Sequence, residues 1–176
     1  MTHEEYNQMA AALRKRGSDE LAAFVESLLL DHETGVGDYA RAFAAPDCVT
    51  AAQIIEGSIS GWATNFRHDT YHQAGAAAQR LDWTLEAIER CVSPRDPQRA
   101  LALIVRFFEG DDDLRQDELD NISDAFRRAT ILFCKIAKAC PANQVDTALK
   151  RLSVRDDNGY RSWLQDETLL NDESAS

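Results

Sequence analysis

Residues Arg99–Glu109 read RALALIVRFFE, and this stretch decides the fold. Leu101, Leu103, Ile104, Val105, Phe107 and Phe108 cover nearly every side of a helical wheel, more than one buried stripe requires. Such a helix has to lie in the centre with other helices around it. Both of its ends are marked. Ser93-Pro94-Arg95-Asp96-Pro97 is the clearest break in the chain, and Gly110 with the acid run Asp111-Asp112-Asp113 stops the helix.

The same period runs outward from this centre. On the N-terminal side a long alanine-rich helix is predicted over Thr70–Val92, with Ala74, Ala77, Ala78, Leu81, Leu85, Ile88 and Val92 inward. Before it, Pro46 opens a helix with Val49, Ala52, Ile55, Ile59 and Trp62 on one side, interrupted by Gly57 and Gly61. A short helical piece is expected over Asp38–Phe43 after a loop from His32 to Gly37. Ser18 reads as an N-cap for a helix whose stripe is Leu21, Phe24, Val25, Leu28 and Leu29, and a first helix from His3 to Arg16 ends at Gly17. On the C-terminal side a helix over Glu118–Ala139 carries Leu119, Ile122, Phe126, Ala129, Phe133, Ile136 and Cys140. Pro141 starts another through Val145, Leu149 and Leu152. Asp156-Asp157-Asn158-Gly159 reads as a turn, and Tyr160, Trp163 and Leu164 as a last short helix. Alternation of period two is absent. The expectation is an all-α fold of six to eight antiparallel helices, stacked as a short α-solenoid or an irregular bundle, in one domain over 1–170 with a frayed acidic tail at 171–176. No strict period can be counted along the sequence.

Composition narrows the function classes. The chain has 176 residues with 30 Asp and Glu against 19 Lys and Arg, a net charge of −11, which opposes direct binding to nucleic acid. A hydrophobic fraction of 44% with only 8 Gly and 4 Pro excludes collagen-like and low-complexity classes. No apolar run reaches the roughly 18 residues of a membrane span, and Met1-Thr2-His3-Glu4-Glu5 lacks a signal-peptide profile, so no membrane association and a cytoplasmic location are expected. Cys48, Cys91, Cys134 and Cys140 are scattered with no Cys-x-x-Cys pair and read as reduced, buried thiols. The basic clusters Arg14-Lys15-Arg16, Arg127-Arg128 and Lys150-Arg151 read as solvated helix faces and ends.

Four segments occur in a familiar order: Arg80–Val92 (RLDWTLEAIERCV), Arg99–Glu109, Asp124–Ala137 (DAFRRATILFCKIA) and Leu152–Trp163 (LSVRDDNGYRSW). Together they resemble a family of uncharacterised bacterial helical-repeat proteins, some of whose members carry or accompany a SWIM-type zinc finger. The resemblance spans roughly residues 20 to 165 and implies an α-solenoid without an assigned reaction or cofactor. The chain contains no Cys-x-Cys…Cys-x-His set, so the zinc-finger function does not carry over.

Candidate sites are few. His68 and His72 stand four apart, the spacing of two zinc ligands on one helix face, but Asp69 replaces the Glu of a His-Glu-x-x-His motif and no third ligand is identifiable. The plain reading is a pair of half-exposed histidines at a helix start. The block Gly57–Gly75 is rich in Gly, His, Asn and aromatics, and Trp62, Phe66, Arg67 and Tyr71 within it are candidates for partner binding or for ordinary anchoring of a loop. Asp112 and Asp113 head the densest acid run. It lacks the internal glycine of a calcium loop, so it reads as a solvated cap or, more sharply, as a docking point for a basic partner. Neither a Gly-x-Ser-x-Gly nor a phosphate-loop motif is present. No cofactor is expected. The expected function is a non-catalytic scaffold or adaptor for a protein partner. The alternatives are an acidic inhibitor that mimics nucleic-acid charge and a metal- or ligand-dependent protein using His68 and His72.

Overall fold

The structure, a computed structural model, describes residues 17–29, 35–62, 74–110, 120–153 and 164. Among these residues there are seven α-helices and no strand: α1 Ser18–Leu29, α2 Gly35–Ala44, α3 Cys48–Ser60, α4 Ala74–Ala87, α5 Pro97–Glu109, α6 Asp120–Ala137 and α7 Ala142–Ser153. The all-α expectation holds, and the helix breaks at Gly61, Pro97, Gly110 and Pro141 fall where the sequence marks them. The predicted helix over 3–16, the turn over 156–159 and the tail over 171–176 lie outside the described residues. Of the last predicted helix only Leu164 is described, and it is buried.

As RALALIVRFFE requires, α5 is the centre. It packs on α3 on one side and α7 on the other, and also against α6 and the end of α4. Leu101, Leu103, Ile104, Val105, Phe107 and Phe108 are all buried. Helix α4 lies between α2 and α6 in the same way. Side-chain bridges fix the directions. Arg128 meets Asp82 (2.6 Å) and, two turns further along both helices, Lys135 meets Glu89 (2.6 Å), so α4 and α6 run parallel. Gln144 with Gln98 (3.1 Å) and Arg151 with Glu109 (2.7 Å) advance together along α5 and α7. The molecule is thus two layers, α2–α4–α6 and α3–α5–α7, with the apolar core between them.

The buried positions recur from one helix pair to the next. Those of α6–α7 follow those of α4–α5 at a spacing of 44: Ala78 and Ile122, Leu81 and Ala125, Leu85 and Ala129, Ile88 and Leu132, Val92 and Ile136, then Ile104 and Ala148, Phe108 and Leu152. Between α3 and α5 the spacing is 49, pairing Ala51 with Ala100, Ala52 with Leu101, Ile55 with Ile104 and Ile59 with Phe108.

Local chemistry explains the helix ends. Asp47 and Asp96 cap α3 and α5, each carboxylate accepting from a backbone N–H three residues on, Thr50 (2.7 Å) and Arg99 (2.9 Å). These bonds stabilise the charged form, so both carboxyls titrate below the ordinary aspartate range. A depressed folded pKa contributes stability that is present above the unfolded value of about 3.9 and is lost as pH falls through the folded one. Asp96→Ala therefore destabilises the protein by about 1 kcal/mol at neutral pH. In urea titrations at a series of pH values the gap between variant and wild type closes only below about pH 4.

Helix α4 ends in a π-turn over Ile88–Val92, where the Ser93 N–H donates to the Ile88 carbonyl (2.9 Å). Thr84 and Thr130 are buried inside helices, and their hydroxyls donate to the carbonyls one turn back, Arg80 (2.9 Å) and Phe126 (3.1 Å).

Several details differ from the sequence reading: α3 runs through Gly57 without a break, and Cys48 and Cys140 are only partly buried. Helix α2 starts at Gly35, because Gly35–Gly37 are helical rather than loop. Ser18 is the first helical residue, with the Leu21 N–H donating to the Gly17 carbonyl, so Ser18 is not the cap. On α1, Leu21 and Phe24 are exposed, because α2 is the one described helix against which α1 packs extensively. Val49 is exposed as well, since it sits in the first turn of α3, ahead of the buried run that begins at Ala51.

Candidate functional site

Sequence reasoning placed the candidate site in Gly57–Gly75, and the structure assigns its first aromatic a different role. Trp62 is 0% exposed. Its ring meets Phe107 edge-on with centroids 5.0 Å apart, and Phe107 in turn lies 5.2 Å from Phe126. A side chain with no accessible surface offers nothing to a partner, so Trp62 is corrected to a core residue that anchors the end of α3 against α5 and α6. Phe66, Arg67, His68, Tyr71, His72, Asp112 and Asp113 lie outside the described residues.

What the described residues do bring together is a strip of surface side chains across α2, α4 and α6. At one end Phe43, 63% exposed, neighbours Tyr39, and Tyr39 stacks on Trp83 of α4 with centroids 5.3 Å apart. Tyr39 and Phe43 are one turn apart on α2, which puts both rings on one face. Burial in this stack pushes the Tyr39 phenol up, against the opposing pull of Arg90. Arg90 pairs with Glu86 one turn back on α4, and that carboxylate holds the guanidinium charged more firmly than usual. From Glu86 the strip continues to Arg128 (3.9 Å), which also bonds Asp82, and so reaches α6.

At the other end α4 and α6 part enough to leave a groove of about 250 Å³, lined by Leu85, Glu89, Arg128, Ile131, Leu132 and Lys135. Leu85 and Leu132 form a buried apolar floor, and Ile131 stands on the rim 61% exposed. The ion pairs Arg128–Asp82 and Lys135–Glu89 frame the groove. Exposed pairs of this kind contribute little to stability and exchange partners readily. Aromatic, arginine and apolar side chains set side by side on a rigid helical layer are the groups that dominate protein–protein contacts.

Other groups of chemical interest are occupied structurally. Ser58 donates to Asp38 (2.7 Å), which also holds Arg41, and this ties α2 to α3. Burial pushes the thiols of Cys91, Cys134 and Cys140 up, which keeps them protonated. Among the described residues no group of three or more His, Cys, Asp or Glu stands ready to hold a metal ion, and no helix is long and apolar enough to cross a membrane.

Set against protein-family models, curated proteins and solved structures, the chain matches none.

The exposed residues of the strip escaped sequence reasoning because they lie off the buried stripes of their helices, whereas the floor residue Leu85 reads as inward from sequence. Ile131 is the readable exception. It falls between the Ile122–Phe126–Ala129–Phe133–Ile136 positions of α6 and points away from them, so a large β-branched apolar residue there is a signal.

Proposed function

We propose that the protein is a non-catalytic helical scaffold that binds a protein partner through the strip running from Phe43 and Tyr39 across Trp83 to Ile131. The observation that carries this reading is the pairing of two large apolar side chains, Phe43 and Ile131, each more than half exposed, with an aromatic stack and an apolar-floored groove between them. An isolated exposed apolar residue needs no explanation, whereas a run of them on one rigid layer favours a docking face. The recurrence of buried positions from pair to pair, together with the resemblance to bacterial helical-repeat proteins, supports a stacked-repeat scaffold. The four cysteines are free thiols, which fits work in the reducing cytoplasm.

Charge layout weighs against the nucleic-acid mimic. On α4 and α6 the cations Arg90, Arg128 and Lys135 stand among the acids and are bridged to Glu86, Asp82 and Glu89. A mimic needs rows of acids with few cations between them.

Phe43→Ala with Ile131→Ser tests the proposal. Both side chains are exposed, so the urea midpoint stays within about 0.5 kcal/mol of wild type. An affinity pull-down from host lysate, read by mass spectrometry, loses the specific partner that the wild type retains. A partner captured equally by both proteins overturns the assignment of the face.

A further inference from the structure

The α6 side of the groove carries a charge opposite to that of the whole chain, facing the carboxylates of Asp82, Glu86 and Glu89 on the α4 side. Residues 1–62 hold four Lys and Arg against ten Asp and Glu, while residues 120–153 hold six Lys and Arg against three Asp and Glu. Helix α6 accounts for the change. Its exposed side presents Arg127, Arg128, Ile131, Lys135 and Lys138, four cations around one isoleucine, with Asp124 at the N-terminal end as the described acid of that side. Lys135 is 67% exposed. The inner two cations reach across the groove to Asp82, Glu86 and Glu89. Arg127 and Lys138 form no such bridge among the described residues and flank Ile131 toward the two ends of the helix.

Resting on the docking face just described, we infer that the α4–α6 groove takes an acidic amphipathic helix of a protein partner. A leucine or similar residue of that helix covers Ile131 and fills the groove over Leu85 and Leu132, and its carboxylates meet Arg127 and Lys138. The cations supply orientation and association rate, and the apolar contact supplies most of the affinity. Two helix faces meeting in this way follow the helix-in-groove mode, in which anchors spaced three and four residues apart enter one groove. Lys135 and Arg128 stay paired with their α4 carboxylates and so screen them from the incoming helix, which leaves Arg127 and Lys138 as its cations.

The probe is a fluorescein-labelled synthetic helix of about 18 residues, long enough to be helical in isolation, with leucines on one face and glutamates beside them. Its twin has lysine in place of every glutamate. Anisotropy titrations use the full chain. The glutamate helix binds, the lysine helix does not, and affinity falls steeply between low and physiological salt. Arg127→Glu with Lys138→Glu, and separately Ile131→Ser, each weaken binding by about tenfold or more. Arg95→Glu, on the exposed turn before α5, leaves it unchanged. Equal binding of both helices, or no binding at about 1 mM, overturns the inference. So does a surface that holds anionic vesicles or duplex DNA as tightly as the peptide with no loss on Ile131→Ser, because it recognises phosphate rather than a protein helix. Self-association of the chain that vanishes in the same charge-reversal variant overturns it in favour of a second copy. If the glutamate helix fails while Ile131→Ser still loses the lysate partner, the face stands and the acidic chemistry is wrong.

Discussion

Replacing Trp62 with alanine lowers the unfolding free energy by about 3–5 kcal/mol, the range for truncating a fully buried large aromatic. The indole is fully buried where three helices converge: it follows the Gly61 cap of α3, meets Phe107 of α5 edge-on at 5.0 Å, and through Phe107 touches Phe126 of α6. Removing it forfeits the transfer of its apolar surface and leaves a cavity walled by rings that cannot all move inward, since Phe107, Phe108 and Phe126 are themselves packed within 6.3 Å of one another. Urea unfolding followed by circular dichroism checks the value, with Ile131→Ala as the control. That side chain is apolar but exposed, and its loss costs no more than about 0.5 kcal/mol. The comparison also separates two roles for Trp62. If it were a partner contact, the alanine variant would keep its stability and lose its ligand. A shift in urea midpoint no larger than that of Ile131→Ala would restore the partner-contact role and remove Trp62 from the core.

Trp62 also shows where the sequence was readable and where it was not. The burial of most of RALALIVRFFE was legible, because its six large apolar residues leave only the Arg99–Ala102–Arg106 stripe to face solvent, and the breaks at Pro97, Gly110 and Pro141 are set by backbone chemistry that no tertiary context removes. Whether the indole of Trp62 points in or out is different. It depends on which helix lies opposite, and the sequence around Gly57–Gly75 says nothing about that partner. The recurrence of the helix pairs was hidden for a related reason. Stacking conserves the direction of a side chain rather than its size, so Leu81 is matched by Ala125, Leu85 by Ala129 and Ala78 by Ile122. A search for identical residues passes over such pairs. The strip on α2, α4 and α6 was least legible of all, since Tyr39 and Trp83 become neighbours only when α2 and α4, with α3 between them in the sequence, are set side by side in one layer. The cations of α6 were visible as Arg127-Arg128, yet their meaning depends on Ile131 standing among them on the outer side of the helix.

Gly110→Ala costs about 1–3 kcal/mol, and the cost disappears when Trp62 is alanine. Space rather than backbone conformation sets this cost. Gly110 caps α5 with φ −74° and ψ −6°, a conformation open to any L-residue, and its N–H donates back to the helix as a cap should. A methyl group at this position would lie 2.8 Å from Cε3 and 2.9 Å from Cζ3 of Trp62, and 3.5 Å from Cγ2 of Ile59. The first two distances are below any tolerable carbon–carbon approach, and the atom approached is part of a rigid ring wedged against Phe107 rather than the end of a flexible chain. Either the indole turns off its rotamer or the end of α5 lifts away from α3. In the Trp62→Ala background the methyl group enters vacated space. Alanine then gains over glycine by restricting the unfolded chain, roughly 0.4–1 kcal/mol, and the sign of the substitution reverses. A double-mutant cycle by urea unfolding measures this directly, with an expected coupling of about 1.5–4 kcal/mol between the two positions. Equal costs for Gly110→Ala in both backgrounds would show that the ring is not what the glycine makes room for, and would separate the end of α5 from the Trp62 contact on which the first prediction rests.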